Sequence, residues 1–146
     1  MAMLAIYPLK PSILMVDDDP DIGIALGDWL HQEGCLVHIV RNGQAGIDAL
    51  KCQTFHSVIL DLGLPDMDGL EVLKRMKEWD PHLPIIILTA FSIFERPAMT
   101  GESYRAFAYL IKPYNRKEIK ATIDRALQQS TKSHAVLQTD PRPAPA

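Results

Sequence analysis

Four acidic residues and two strand-end polar residues stand out for the chemistry they could do together. Asp17, Asp18 and Asp19 follow the apolar run Ile13 to Val16, and Asp61 follows the apolar run Val58-Ile59-Leu60. Runs this short, cut off by charge, read as buried strands rather than helices. Each therefore delivers a carboxylate where a strand leaves the core. After Asp61 come Gly63, Pro65, Asp66, Asp68 and Gly69, turn formers that end the strand and lay a loop over its tip. If the two strands are neighbours, Asp17, Asp18 and Asp61 converge at one sheet edge, where three carboxylates repel unless a cation neutralises them. A hard divalent ion that prefers oxygen ligands and tolerates bound water, Mg²⁺, fits such a cluster and would also receive a phosphoryl group. Thr89 and Lys112, closing two later apolar runs, add a hydroxyl donor and a cation. Phosphoryl transfer to a carboxylate needs that set, because positioning and charge neutralisation supply most of the catalysis.

The elements that must position these groups alternate along the chain. Strand β1 (13–16) is followed by helix α1, opened by Asp19 as N-cap and Pro20 in the first turn and ended by Gly34. Ile22, Ala25, Leu26 and Trp29 form its expected buried stripe, and Gly23 and Gly27 weaken it without an evident reason. Next come β2 (36–40), a turn or cap at Asn42-Gly43, α2 (45–52), β3 (58–60) and α3 (70–79), in which Leu70, Val72, Leu73, Met76 and Trp79 are the apolar set. The run Ile85 to Thr89 is β4, hydrophobic enough for a central strand covered on both faces. A short or irregular α4 is expected in 92–105, where Pro97 and Gly101 interrupt the pattern. Strand β5 (107–111) and helix α5, starting at Asn115 with Glu118 as a capping pair and ending near Gln129, complete the order. Five successive βα units predict an α/β flavodoxin-like, three-layer (βα)5 fold with a five-stranded parallel sheet in the order 2-1-3-4-5, which sets β1 beside β3.

The 146 residues are 47% hydrophobic and 23% charged, enough for one globular domain with its own core. A formal charge of -3 gives no basic face for nucleic acid or an anionic membrane, so no direct nucleic acid contact and no membrane association are expected. Cys35 and Cys52 lack metal-ligand spacing and read as small buried thiols in a reducing cytoplasm. Residues 1–11 read as a loosely held arm, 12–129 as the domain, and 130–146, with Pro141, Pro143 and Pro145, as a disordered tail or linker. Some residues have plainer readings. Asp19 caps a helix, Asp66 and Asp68 form turns, the basic residues of α5 make a solvated face, and no histidine has ligand spacing. Alone, Thr89 would pass for a strand-end threonine and Tyr109 for core.

The segments ILMVDDDPD (13–21), VILDLGLPDMDG (58–69), IIILTA (85–90) and YLIKP (109–113), in this order, resemble the receiver domain of two-component response regulators. The resemblance implies that Asp61 accepts a phosphoryl group from the phosphohistidine of a sensor histidine kinase or phosphotransfer protein. It further implies that Asp18, Asp61 and the Gly63 carbonyl hold Mg²⁺, with Asp17 acting largely through water. Thr89 would bond a phosphoryl oxygen, Lys112 would pair with the acyl phosphate through a cis Lys112-Pro113 segment, and Tyr109 would turn inward as the switch. Output would run through the α4-β5-α5 surface, possible also as a homodimer contact, to a downstream function such as transcription. A stand-alone phosphorelay or connector receiver is the alternative. Gly63 and Phe91 would flank a hydrolysing water and give an intermediate phosphoryl lifetime, with no other enzymatic activity. Where the family has a glycine-alanine pair before β5, this chain has Arg105-Ala106, which, with Pro97, suggests a displaced or partly unwound α4. A haloacid-dehalogenase-like phosphatase using Asp17 is a competing enzyme reading, weakened by Asp21 where Thr or Val is expected.

Overall fold

A computed structural model describes residues 10–90 and 105–139, with side chains described up to residue 129. Five parallel strands, β1 (Ser12–Val16), β2 (Leu36–Val40), β3 (Ser57–Leu60), β4 (Ile85–Thr89) and β5 (Ala108–Ile111), form one sheet in the order β2-β1-β3-β4-β5. The helices are α1 (Pro20–Gln32), α2 (Gly43–Cys52), α3 (Gly69–Trp79) and α5 (Arg116–Thr139). The fold class read from the alternation of elements is the one observed. The expected α4, with Phe91 and Pro97, lies outside the described residues, as do the first nine residues and 140–146.

The largely apolar strands β1, β3 and β4 are explained by a core on each side of the sheet. Leu14, Val16, Val58, Leu60, Ile85 and Ile87 point to one face and pack with Ile47 and Leu50 of α2 and Leu70, Val72, Leu73 and Met76 of α3. The intervening residues Ile13, Met15, Ile59, Ile86, Leu88 and Leu110 point to the other and meet Leu26 and Leu30 of α1 and Ile119, Ile123, Ala126 and Leu127 of α5. Alternate residues thus serve opposite cores, and neither set can be polar. No helix among the described residues is long and apolar enough to cross a membrane.

Four readings change in the structure. The buried stripe of α1 is Gly23, Leu26, Gly27 and Leu30, while Ala25 is exposed. The two glycines, unexplained in sequence, let the helix lie close on β2: a Cβ on Gly27 would stand 2.9 Å from Ile39 Cδ1, and one on Gly23 would stand 3.3 Å from Ile39 Cγ2. Trp79 ends α3 and is 57% exposed rather than core. Of the cysteines, Cys35 is buried but Cys52 is exposed. Finally, α5 stays helical past Gln129 to Thr139, since no proline or glycine falls before Pro141. Gly34 does end α1, at a φ of +92° that favours glycine.

Candidate functional site

Strand register brings the acids together. Val16 pairs with Leu60, so the next residues on each strand, Asp17 and Asp61, leave the sheet side by side, and Asp61 N donates to Val16 O at 2.9 Å. Asp17, Asp18 and Asp61 each offer a carboxylate oxygen, all within 4.8 Å of one another. Asp17 and Asp61 are buried, at 4% and 7% exposure, and Asp18 is exposed. On the other side, Thr89 pairs with Ile111, and Lys112 N donates to Thr89 O at 2.8 Å. This register and a cis Lys112-Pro113 peptide accompany a Lys112 ammonium that reaches back across the sheet edge, 2.8 Å from Asp17 Oδ2 and 3.1 Å from Asp61 Oδ2.

Each buried carboxylate has a second fixed partner. Asp19 N donates to Asp17 Oδ1 at 2.9 Å, and Gly63 N donates to Asp61 Oδ1 at 3.1 Å. Burial raises the pKa of Asp17, against the opposing pull of Lys112 and the Asp19 amide. For Lys112, burial works against the charge, but the bonds to Asp17 and Asp61 outweigh it and hold its pKa above the ordinary lysine value. Three clustered carboxylates, two of them bonded to one ammonium, leave a negative surplus at this sheet edge, and every candidate ligand atom is an oxygen. That donor set fits a hard divalent cation.

The other expected residues take distinct places. Thr89 is buried at the end of β4. Tyr109 pairs with Ile87 in register and packs partly buried against the α2-α3 side of the core, the face that Thr89 shares by alternation. Burial raises its phenol pKa, and a backbone hydrogen bond from Ala106 opposes that. Asp19 is the N-cap of α1, accepting from Asp21 N at 3.0 Å, and Asp68 is the N-cap of α3, accepting from Leu70 N at 3.0 Å. Asn115 caps α5 through Lys117 N at 2.8 Å. Asp66 is more than a turn former. Its carboxylate crosses to α2 and accepts from Gly43 N at 2.8 Å and Gln44 N at 3.0 Å. No local pattern could have revealed a contact between positions so far apart in sequence.

The family model described as "Response regulator receiver domain" matches residues 13–124. The chain belongs to this family. It is 39% identical over 122 residues to the uncharacterized transcriptional regulatory protein YkoG of Bacillus subtilis, covering 83% of this chain and 53% of YkoG. It is 37% identical to the DNA-binding transcriptional regulator NtrC of Klebsiella pneumoniae, covering 90% of this chain and 27% of NtrC. The chain therefore spans about half or less of these curated relatives. Among solved structures, the response regulator protein TrrA of Thermotoga maritima, in complex with Mg²⁺-BeF, superposes with a TM-score of 0.72 at 31% identity, covering 80% of this chain and 99% of that one. TrrA has also been solved in complex with the histidine kinase ThkA, with a TM-score of 0.70 at 31% identity, covering 80% and 98%. This receiver domain thus carries the acidic cluster with Lys112 bonded to two of its carboxylates, and Thr89 at the end of the neighbouring strand β4.

Proposed function

We propose that Asp61 is the phosphoacceptor of this receiver and that the reaction depends on Mg²⁺. The observation that carries the reading is the position of Asp61: at the tip of β3, within the three-carboxylate cluster, with Lys112 3.1 Å from its Oδ2. A carboxylate oxygen of Asp61 attacks the phosphorus of the donor's phosphohistidine. The new O–P bond forms as the P–N bond breaks, and the imidazole leaves. Asp18, Asp61 and the Gly63 carbonyl hold Mg²⁺, with Asp17 acting largely through water. Bound there, the ion supplies charge neutralisation for the transferring phosphoryl oxygens. Lys112 pairs with the acyl phosphate, and the Thr89 hydroxyl bonds a phosphoryl oxygen, so its movement draws Tyr109 inward and changes the surface around β5.

The donor is a sensor histidine kinase or phosphotransfer protein, a reading supported by the likeness to TrrA, which was solved in complex with a histidine kinase; the place of the reaction is the cytoplasm. Transcription is the output supported by the named relatives, of which this chain spans about half or less, with a homodimer through the α4-β5-α5 surface as one route. Self-phosphorylation from small donors and self-dephosphorylation at Asp61 are the chemistry proposed for the described residues.

Incubation with acetyl phosphate and Mg²⁺, followed by borohydride trapping and peptide mapping, tests this. Label on Asp61, lost in Asp61→Asn, supports the receiver mechanism. Label on Asp17 would instead favour the dehalogenase-like reading and overturn it.

A further inference from the structure

The loop from Asp61 to Gly69 carries two of the proposed cation ligands, so whatever holds it still sets how well they converge. At its root, Gly63 N is tied to Asp61 Oδ1 at 3.1 Å, and Gly69 N is tied to Leu62 O at 3.2 Å. Asp66 reaches outward instead. Its two oxygens take the first two amides of α2, Gly43 N at 2.8 Å and Gln44 N at 3.0 Å. Those amides have no partner within the helix, and a carboxylate there meets the positive helix end. The cap of α2 is shared: Asn42 accepts from Ala45 N at 2.8 Å, and Asp66 takes the two amides that Asn42 leaves. These bonds hold the Asp66 pKa below the usual carboxylate value. Beside it, Met67 presses on the same turn, since a Cβ on Gly43 would stand 2.6 Å from Met67 Cγ. α2 is itself anchored in the core through Ile47 and Leu50. Between Gly63 and Asp66 lies Pro65, whose fixed φ leaves little slack.

We propose that Asp66 is a positioning residue for the cation site, strapping the β3-α3 loop to the first turn of α2 so that the Gly63 carbonyl stands in place beside Asp61. This rests on the Mg²⁺ reading above. Coupling of this kind is reciprocal: a cation that orders the loop must also tighten the bonds to Gly43 and Gln44.

Mg²⁺ titration of the full chain, followed by NMR, compares wild type with Asp66→Ala, Asp66→Asn and Asn42→Ala. Asp66→Ala should weaken Mg²⁺ binding about tenfold, the lower end of the loss when groups that orient metal ligands are removed. Asp66→Asn keeps one acceptor oxygen and should lose less. Asn42→Ala removes a bond from the same helix end without touching the loop, and should bind as wild type does. Hydrogen exchange at Gly43 and Gln44 should slow on adding Mg²⁺ in wild type and Asn42→Ala, and stay unchanged in Asp66→Ala. If Asp66→Ala does not fold, Asp66→Asn against Asn42→Ala decides. Wild-type affinity in the Asp66 variants, or an equal loss in Asn42→Ala, overturns the strap alone. A wild-type chain that does not bind Mg²⁺ overturns the metal reading, and this one with it.

Discussion

Lys112 is the residue on which the resting site depends. Its ammonium is bonded to both buried carboxylates, and the side chains of all three are at most 13% exposed. Removing one partner from a buried ion pair leaves uncompensated charge, so Lys112→Met should cost on the order of 3 kcal/mol in metal-free buffer. Mg²⁺ would supply the missing positive charge. Urea denaturation should therefore show the deficit shrinking when Mg²⁺ is added, whereas a deficit independent of Mg²⁺ would argue that the cluster does not take the ion. The cysteines make a second contrast at this scale. Burial, with Asp124 and Glu33 adding to it, pushes the Cys35 thiol up to about 11. A thiol reagent at neutral pH should modify the exposed Cys52 promptly and leave Cys35 unmodified in the folded chain. Cys35 should become reactive only as the pH approaches 11 or the chain unfolds.

Among elements, the glycines show how a contact's softness decides the effect of a methyl group. At Gly69 a Cβ would fall 2.3 Å from Leu62 Cα, a backbone atom that cannot yield without moving the site loop. Gly69→Ala should cost about 3 kcal/mol and disturb the Asp61 region in NMR spectra. At Gly27 the same methyl meets the end of the Ile39 side chain, which is 39% exposed and free to turn away. The helix gains about 1 kcal/mol from alanine over glycine, so Gly27→Ala should be neutral or mildly stabilising by urea melt. Asp66 gives the pH dependence. Because its folded pKa is lowered from 3.8, its stabilising bonds are present above that value and are lost as the pH falls through the lowered pKa. The Gly43 and Gln44 amide signals should move together over that acid range, and in Asp66→Ala they should not.

At the scale of the molecule, two cores share one sheet, and neither face can come apart without exposing strands that belong to both. Urea unfolding should therefore be a single transition, with coincident midpoints by far-UV circular dichroism and, in a Trp79→Phe background, by the fluorescence of Trp29, which lies under Arg116 at 5.9 Å. Separate midpoints would mean that the α1-α5 side melts independently. Lys120, 2.9 Å from Glu33, and Arg116 over Trp29 join α5 to α1 at the surface, where such contacts add little to stability.

The order of elements, the parallel sheet and the carboxylates at strand tips were determined by sequence alone. Apolar runs that end on Asp17, Asp61, Thr89 and Lys112 are too short for helices, and the first three are interior strands while the last is the edge strand β5; period and punctuation are local signals. The full buried stripe of α1 was not legible beyond Leu26, because Gly23 and Gly27 carry no hydropathy yet let the helix lie close on β2. Nor was the exposure of Trp79 and Cys52, which depends on where a helix overhangs its neighbours. The pairing of Val16 with Leu60 and the reach of Lys112 to two carboxylates were decided only by the tertiary structure. So was the grip of Asp66 on α2. Each joins positions distant in the chain, and their distances come from strand register and helix packing, which no local pattern of residues encodes.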